Sequence, residues 1–206
     1  MSFLQSLFGP SKDDIWEQFA AAEGGFFTQG GFLSGSSKVE AAHGQWTVVL
    51  DTYAVSNGKT ATTFTRMRAP YVNPDGFHFK IYRRGIFSNL GKMLGMQDVA
   101  VGYPQFDDEF IIQGDDEAKL RRLFANQKIR DLIDRQSDIQ FAVRDDDGNF
   151  WTGRNLPAGV DELYFQVVGV IKDVDRLKLL YDLFSETLDE LVRMGSASGA
   201  NPGVKL

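Results

Sequence analysis

From Trp46 to Val55, and again from Thr60 to Ala69, apolar and polar residues alternate, and both runs are rich in β-branched and aromatic side chains. A period of two with that composition predicts a half-buried strand in each run. Between them stands Ser56-Asn57-Gly58-Lys59. Asn-Gly supplies the two left-handed residues of a type I′ turn, so the pair reads as a tight hairpin. A two-residue turn would set Ser56 opposite Lys59, Val48 opposite Met67 and Leu50 opposite Thr65, with Asp51 diagonal to Arg66. Trp46, Val48, Leu50, Met67 and Ala69 then share the core face. Thr47, Val49, Asp51, Tyr53, Phe64, Arg66 and Arg68 share the other. A third strand, Phe77 to Arg84, follows the turn Asn73-Pro74-Asp75-Gly76. In it Phe77, Phe79 and Ile81 alternate with His78, Lys80, Tyr82 and Arg84, a set that extends the second face.

Elsewhere the period changes. Ser11 with Asp14 three residues on forms a capping signature, followed by the helical face Ile15, Trp16, Phe19 and Ala20 and the stop Gly24-Gly25. Residues 24–37 predict a turn and a short strand. Gly85 to Gly95 reads as a short amphipathic helix. A strand over Glu109–Gln113 leads to Asp115-Asp116, which can cap a helix reaching Phe124, and a second short helix carries Ile129, Leu132 and Ile133. Asp138–Arg144 reads as a strand turning at Asp145-Asp146-Asp147-Gly148-Asn149. Leu163 to Lys172 is apolar on both faces, the mark of a central strand. From Asp173 to Gly195, Leu177, Tyr181, Phe184, Leu188 and Leu191 form a continuous seam along the longest helix.

These elements predict one α+β domain over residues 11–195: a largely antiparallel sheet with helices packed mainly on one face and a long C-terminal helix. An apolar segment, 1–10, precedes it, and a small, polar, disordered tail, 196–206, follows. The 206 residues, 43% of them hydrophobic, suffice for a substantial core. The absence of cysteine excludes disulfides, thiolate nucleophiles and cysteine-ligated metals. The N-terminus lacks the basic start and apolar run of a signal peptide, and no stretch approaches a membrane span, so a cytoplasmic address is expected.

Net charge is −6, unevenly spread: residues 59–95 carry +6 and the rest of the chain −12. Arg66, Arg68, His78, Lys80, Tyr82 and Arg84 are therefore the candidate anion-binding residues, taking a phosphate or carboxylate if their face is open. If acidic helices cover that face, the asymmetry is internal. Nucleic acid is disfavoured by the acidic total. Two apolar clusters, Phe3, Leu4, Leu7 and Phe8, and Ile86, Phe87, Leu90, Met93 and Leu94 beside Arg83, Arg84 and Lys92, would suit peripheral membrane contact.

Catalytic signatures fail on spacing. The segment from Gly85 to Met93 has one residue too many for a phosphate loop and Met where Ser or Thr should stand. Ser56 and Lys59 flank a turn, not a helix. Asp145–Asn149 misplaces the first ligand of a calcium loop. Asp107, Asp108, Glu109, Asp115, Asp116 and Glu117 read as caps and a solvated edge. His43 and His78 have no local carboxylate at metal spacing. No catalytic residue, metal or cofactor is assigned.

Arg66-Met67-Arg68-Ala69-Pro70, Gly95-Met96-Gln97-Asp98-Val99 and Phe106-Asp107-Asp108-Glu109-Phe110, with the strand, Asp and helix that follow, resemble an uncharacterised bacterial domain-of-unknown-function family. The resemblance covers about a quarter of the chain. It implies a bacterial origin and carries no catalytic residue across. The leading expectation is a non-enzymatic binding or protein-interaction domain, with a homodimer through residues 173–194 as one form. The others are an enzyme acting on an anionic small molecule, with His78 as acid or base, and a peripheral membrane protein.

Overall fold

The structure, a computed structural model, describes residues 9–31, 35–56, 58–85, 97–145 and 156–206. Its strands are β1 (Phe26–Thr28), β2 (Lys38–His43), β3 (Trp46–Ser56), β4 (Ala61–Val72), β5 (Phe79–Arg83), β6 (Gln97–Asp98), β7 (Phe110–Gly114), β8 (Gln140–Arg144) and β9 (Val160–Val168). The helices are α1 (Lys12–Ala22), α2 (Pro104–Glu109), α3 (Glu117–Leu123), α4 (Gln127–Asp134) and α5 (Val174–Met194). The strands form one sheet in the order β1-β2-β3-β4-β9-β8-β5-β7-β6, and its pairs are antiparallel. The apolar faces of the helices join Leu50, Met67, Ile81, Phe141 and Phe165 of the sheet in a single core. This is the α+β domain the sequence predicts.

The helix ends follow local chemistry. Ser11 Oγ accepts from the Asp14 N–H at 3.2 Å, and the Asp14 carboxylate accepts from the Ser11 N–H at 2.9 Å, a reciprocal capping box. Asp173 caps α5 through the Asp175 and Arg176 N–H groups, and Gly195 ends it at φ 83°, where a side chain would be strained. The α5 seam is consumed within the chain, with Leu177, Phe184, Leu188 and Leu191 all buried. Trp16 Nε1 donates to the Ile171 carbonyl at 3.1 Å and the Tyr181 hydroxyl to the Ala42 carbonyl at 2.6 Å, fixing α1 and α5 on the sheet.

Three features depart from the sequence reading. First, Ser56 pairs with Ala61 and Leu50 with Met67, so the hairpin loop is longer and the register moves by two residues. A shift of two keeps every side chain on its expected face, and Asp51 now stands directly opposite Arg66. Second, β5 does not extend the hairpin. β9 and β8 lie between it and β4; β9 takes the central position, with Leu163, Phe165 and Val167 in the core and Glu162, Tyr164 and Gln166 on the other face. Third, the tail begins ordered: Ser196 and Ala197 are buried, and the Ser198 N–H donates to the Val72 carbonyl at 2.9 Å. The helix proposed over Gly85–Gly95, the apolar N-terminal residues and most of the Asp145–Asn149 turn lie outside the described residues.

Phe141 on β8 joins the two halves of the core, edge-on to Phe79 (5.7 Å) and Phe184 (5.5 Å). Phe141→Ala is expected to destabilise the chain by about 3–5 kcal/mol, read as a fall in the urea midpoint with little change in slope.

Candidate functional site

The alternation in β4, β9, β8 and β5 sends one set of residues into the core and the other onto an outer face. Register places Arg66, Gln166, Gln140 and Tyr82 in one row across the sheet, and Arg68, Tyr164, Ala142 and Lys80 in the next. Strands are spaced by about 4.8 Å, so Lys80 and Tyr82 stand roughly 14 Å from the arginines, on the same face.

At the β3–β4 end the charges answer one another. Asp51 accepts from Arg66 Nε (2.6 Å) and Nη2 (3.0 Å), and from Arg68 Nη2 (2.9 Å). Burial works against the Arg66 charge, but the Asp51 hydrogen bonds and charge outweigh it and hold the guanidinium above its ordinary pKa. The arginine pair thus shares one largely buried carboxylate, which offsets one of its two charges, with Glu162 acting on Arg66 from further off. Next to it the Tyr53 hydroxyl (2.5 Å) and the Tyr164 hydroxyl (2.7 Å) donate to Gln166 Oε1, whose amide donates to Gln140 Oε1 at 2.5 Å. Burial pushes the Tyr164 phenol well up, with Tyr53 adding to it, so this chain of hydrogen bonds stays neutral.

His78 leaves the row altogether. It precedes β5 and stands at the end of the sheet, its ring nitrogens 3.1 Å from Asp161 and 3.4 Å from Asp115, while its N–H donates to the Asp115 carboxylate at 3.0 Å. Asn73 donates to the same Asp161 carboxylate at 2.5 Å and to the Phe77 carbonyl at 3.1 Å. These contacts clamp the segment that carries the chain from β4 over β9 and β8 to β5. The Asp161 hydrogen bond raises the His78 pKa to about 9 against the opposing cost of burial, and the charges of Asp161, Asp115 and Asp145 add to it. Arg84 also lies apart, donating to the Asp107 and Asp108 carbonyls at 3.2 and 3.1 Å. Of the six candidates the structure therefore joins Arg66 to Arg68, sets Lys80 beside Tyr82, and separates His78 and Arg84 from both.

The acidic run has structural work. Asp107 accepts the N–H groups of Val101, Gly102 and Tyr103 at 2.8–3.0 Å, and Asp116 caps α3 through the Lys119 N–H at 3.0 Å. His43 reaches Asp189 of α5 at 3.0 Å. A cleft of about 330 Å³ on the helix side is lined by Tyr103, Phe106, Glu109, Arg130, Asp131 and Asp134. Its charges are partly matched, Arg83 to Glu109 at 2.6 Å and Arg130 lying 3.5 Å over the Tyr103 ring. Among the described residues no group of three or more His, Asp or Glu is placed to hold a metal ion, and no helix is long and apolar enough to cross a membrane.

Sequence reasoning missed Arg144, Gln140, Tyr164 and Gln166 as members of this face. The alternation Gln140, Ala142, Arg144 was the available signal; in β9 Glu162 and Gln166 were another, hidden by the apolar residues that run on from Val167 to Ile171. Comparison with protein-family models, with curated proteins and with solved structures finds no match.

Two outcomes test this geometry. Asp51→Ala leaves two largely buried guanidiniums on one vanished partner and should cost about 3 kcal/mol in urea unfolding; a loss under about 1 kcal/mol would mark the pair as no stronger than a surface one. His78, whose folded pKa of about 9 lies above its ordinary 6.5, contributes stability that is full below pH 6.5 and fades as pH rises through 9. The stability gap between the native chain and His78→Gln should therefore narrow between pH 6 and about pH 10, and a gap that widens would contradict the clamp.

Proposed function

We propose that the chain is a non-enzymatic binding protein that docks a protein partner on the outer face of its sheet. One observation carries this reading. Val168 is 58% and Val55 53% exposed, and they border Phe64, which pairs with Val168 across β4–β9 and with Tyr53 across β3–β4. Tyr53 and Phe64 stack at 5.1 Å with 15° between their planes, and Arg66 lies 4.9 Å over the Tyr53 ring. Exposed valines around a preformed Tyr–Phe–Arg cluster combine apolar area with the residue types that dominate interface energetics. A homodimer under this reading would meet at the same patch, because the α5 seam is already spent on the core. The reading keeps the cytoplasmic address expected from the sequence.

The alternative of an enzyme acting on an anionic small molecule called for His78 beside the cations of the sheet, and His78 stands instead with Asp161 and Asp115. The membrane alternative rests on residues outside the described ones.

The test places a photo-crosslinking amino acid at position 168 of the full chain in cells, with position 117 on the exposed surface of α3 as the control. A discrete adduct, with a second copy or with another protein, is expected at 168 and not at 117. Equal labelling at both positions, or none at 168, overturns the reading.

A further inference from the structure

One strip of the outer face is covered, although the helices among the described residues turn their apolar faces to the core on the other side. Val49 is 2% exposed, yet it alternates with the core residues Val48 and Leu50 and stands outside their cluster. Pro70, on the same face of β4, is buried too. Thr47 and Ala42 also belong to this face, and they are exposed. Register sets Arg68, Val49 and Glu40 in one row and Thr47 and Ala42 in the next. Pro70, two residues on from Arg68, is level with the second row.

The C-terminal segment accounts for that pattern. The Ser198 N–H donates to the Val72 carbonyl at 2.9 Å, at the end of β4. Lys38 Nζ, on β2, donates to the Leu206 carbonyl at 3.4 Å. Lys38 lies on the outer face with Glu40, its partner at 3.2 Å. A line from Val72 to Lys38 crosses Pro70 and Val49 and leaves Thr47 and Ala42 to one side. Strand rise and spacing set the two anchors about 22 Å apart. Eight residues reach at most about 29 Å, so the segment has little length for another route. Along it Pro202, Val204 and Leu206 are half-buried, while Asn201, Gly203 and Lys205 are exposed, so alternate side chains turn to the sheet.

Its hold on the sheet is light. None of the residues from Gly199 to Leu206 is fully buried. The Ala200 and Gly203 N–H groups bond within the segment, to Ser198 Oγ and Asn201 Oδ1. Gly199 and Gly203 add to the entropy lost on ordering. A stretch with so few buried contacts opens locally while the rest stays folded. The charged groups bordering the strip are Glu40, paired with Lys38, Arg68, paired with Asp51, and Glu162, opposite Pro70 on β9. Lifting the segment would bare Val49 and Pro70 and extend the surface of Tyr53, Phe64 and Val55 along β3 and β4.

We infer that residues 199–206 form a detachable strap that limits how much of the outer face a protein partner can reach. The regulatory role rests on the docking reading above; the place of the strap on the sheet does not.

A photo-crosslinking amino acid at position 204 of the full chain should form an intramolecular adduct with residues 38–40 or 47–51, located by mass spectrometry. An adduct elsewhere in the chain, or none, overturns the placement. A chain ending at Ser198 should melt within about 5 °C of the full chain. A larger fall, or failure to fold, makes the segment part of the body and overturns the strap. With the crosslinker at position 168, the shortened chain should give at least about threefold more partner adduct than the full chain. The full-length double variant Val204→Asp, Leu206→Asp should do the same without any loss of length. An equal yield from all three chains overturns the strap alone. No adduct at 168 from any of them overturns the docking reading, and the regulatory role with it.

Discussion

The carboxylate of Asp161 holds the arrangement of the sheet. Buried beside Tyr71 on the neighbouring strand, it receives Asn73 from one side and His78 from the other. Those two residues begin and end the short segment that leads from β4 to β5. Together with Asp75 of the same segment, which accepts from Lys119 and Ser196, the clamp keeps β5 from folding back against β4 as the next strand of a simple meander. With it, β5 is delivered past two strand positions, and β9 and β8 occupy the slot. The wide outer face, its separate ends and the undivided core all follow from that displacement.

The same displacement explains the division of charge on the outer face. Had β5 paired with β4, Lys80 and Tyr82 would have stood against Arg66 and Arg68 in one basic cluster, and Asp51 alone could not have balanced it. Two intervening strands replace that cluster with two unlike regions. At one end the arginines close on Asp51, and aromatic and valine side chains stand exposed beside them. At the other Lys80 lies buried against the Tyr82 ring, one row from the cross-strand neighbours Arg144 and Glu162. The polar chain from Tyr53 through Gln166 to Gln140 separates the two without adding charge.

The faces of β3 and β4, the caps of α1 and α5 and the central character of β9 were legible in the sequence, because each depends on periodicity or on a local hydrogen bond. The hairpin register was read two residues off, yet the side-chain faces survived, since a strand repeats every second residue. Strand order was not legible. Periodicity tells which side of a sheet a residue faces, not which strand lies next to it, and the clamp on Asp161 joins residues far apart in the chain. His78 was misplaced for a related reason: its parity matches Lys80, but β5 begins only at Phe79, and alternation has no authority outside a strand. The charge excess of residues 59–95 was real in sequence, but Asp51 lies outside that window and is shared by two of its arginines, offsetting one of their charges.

The late arrival of β8 and β9 has a consequence for how the chain comes to be folded. The hairpin of β3 and β4 and the later strands β5 and β7 are synthesised well before the strands that join them. Until then β4 and β5 each present a bare edge, with backbone N–H and C=O groups unpaired. Contacts between strands so distant in sequence form slowly, so a nascent chain must hold two half-sheets apart before its C-terminal third closes the gap. Truncation before the end of β9 at Val168 would remove more than the C-terminal helix: it would leave the sheet divided, with exposed edges that recruit other chains.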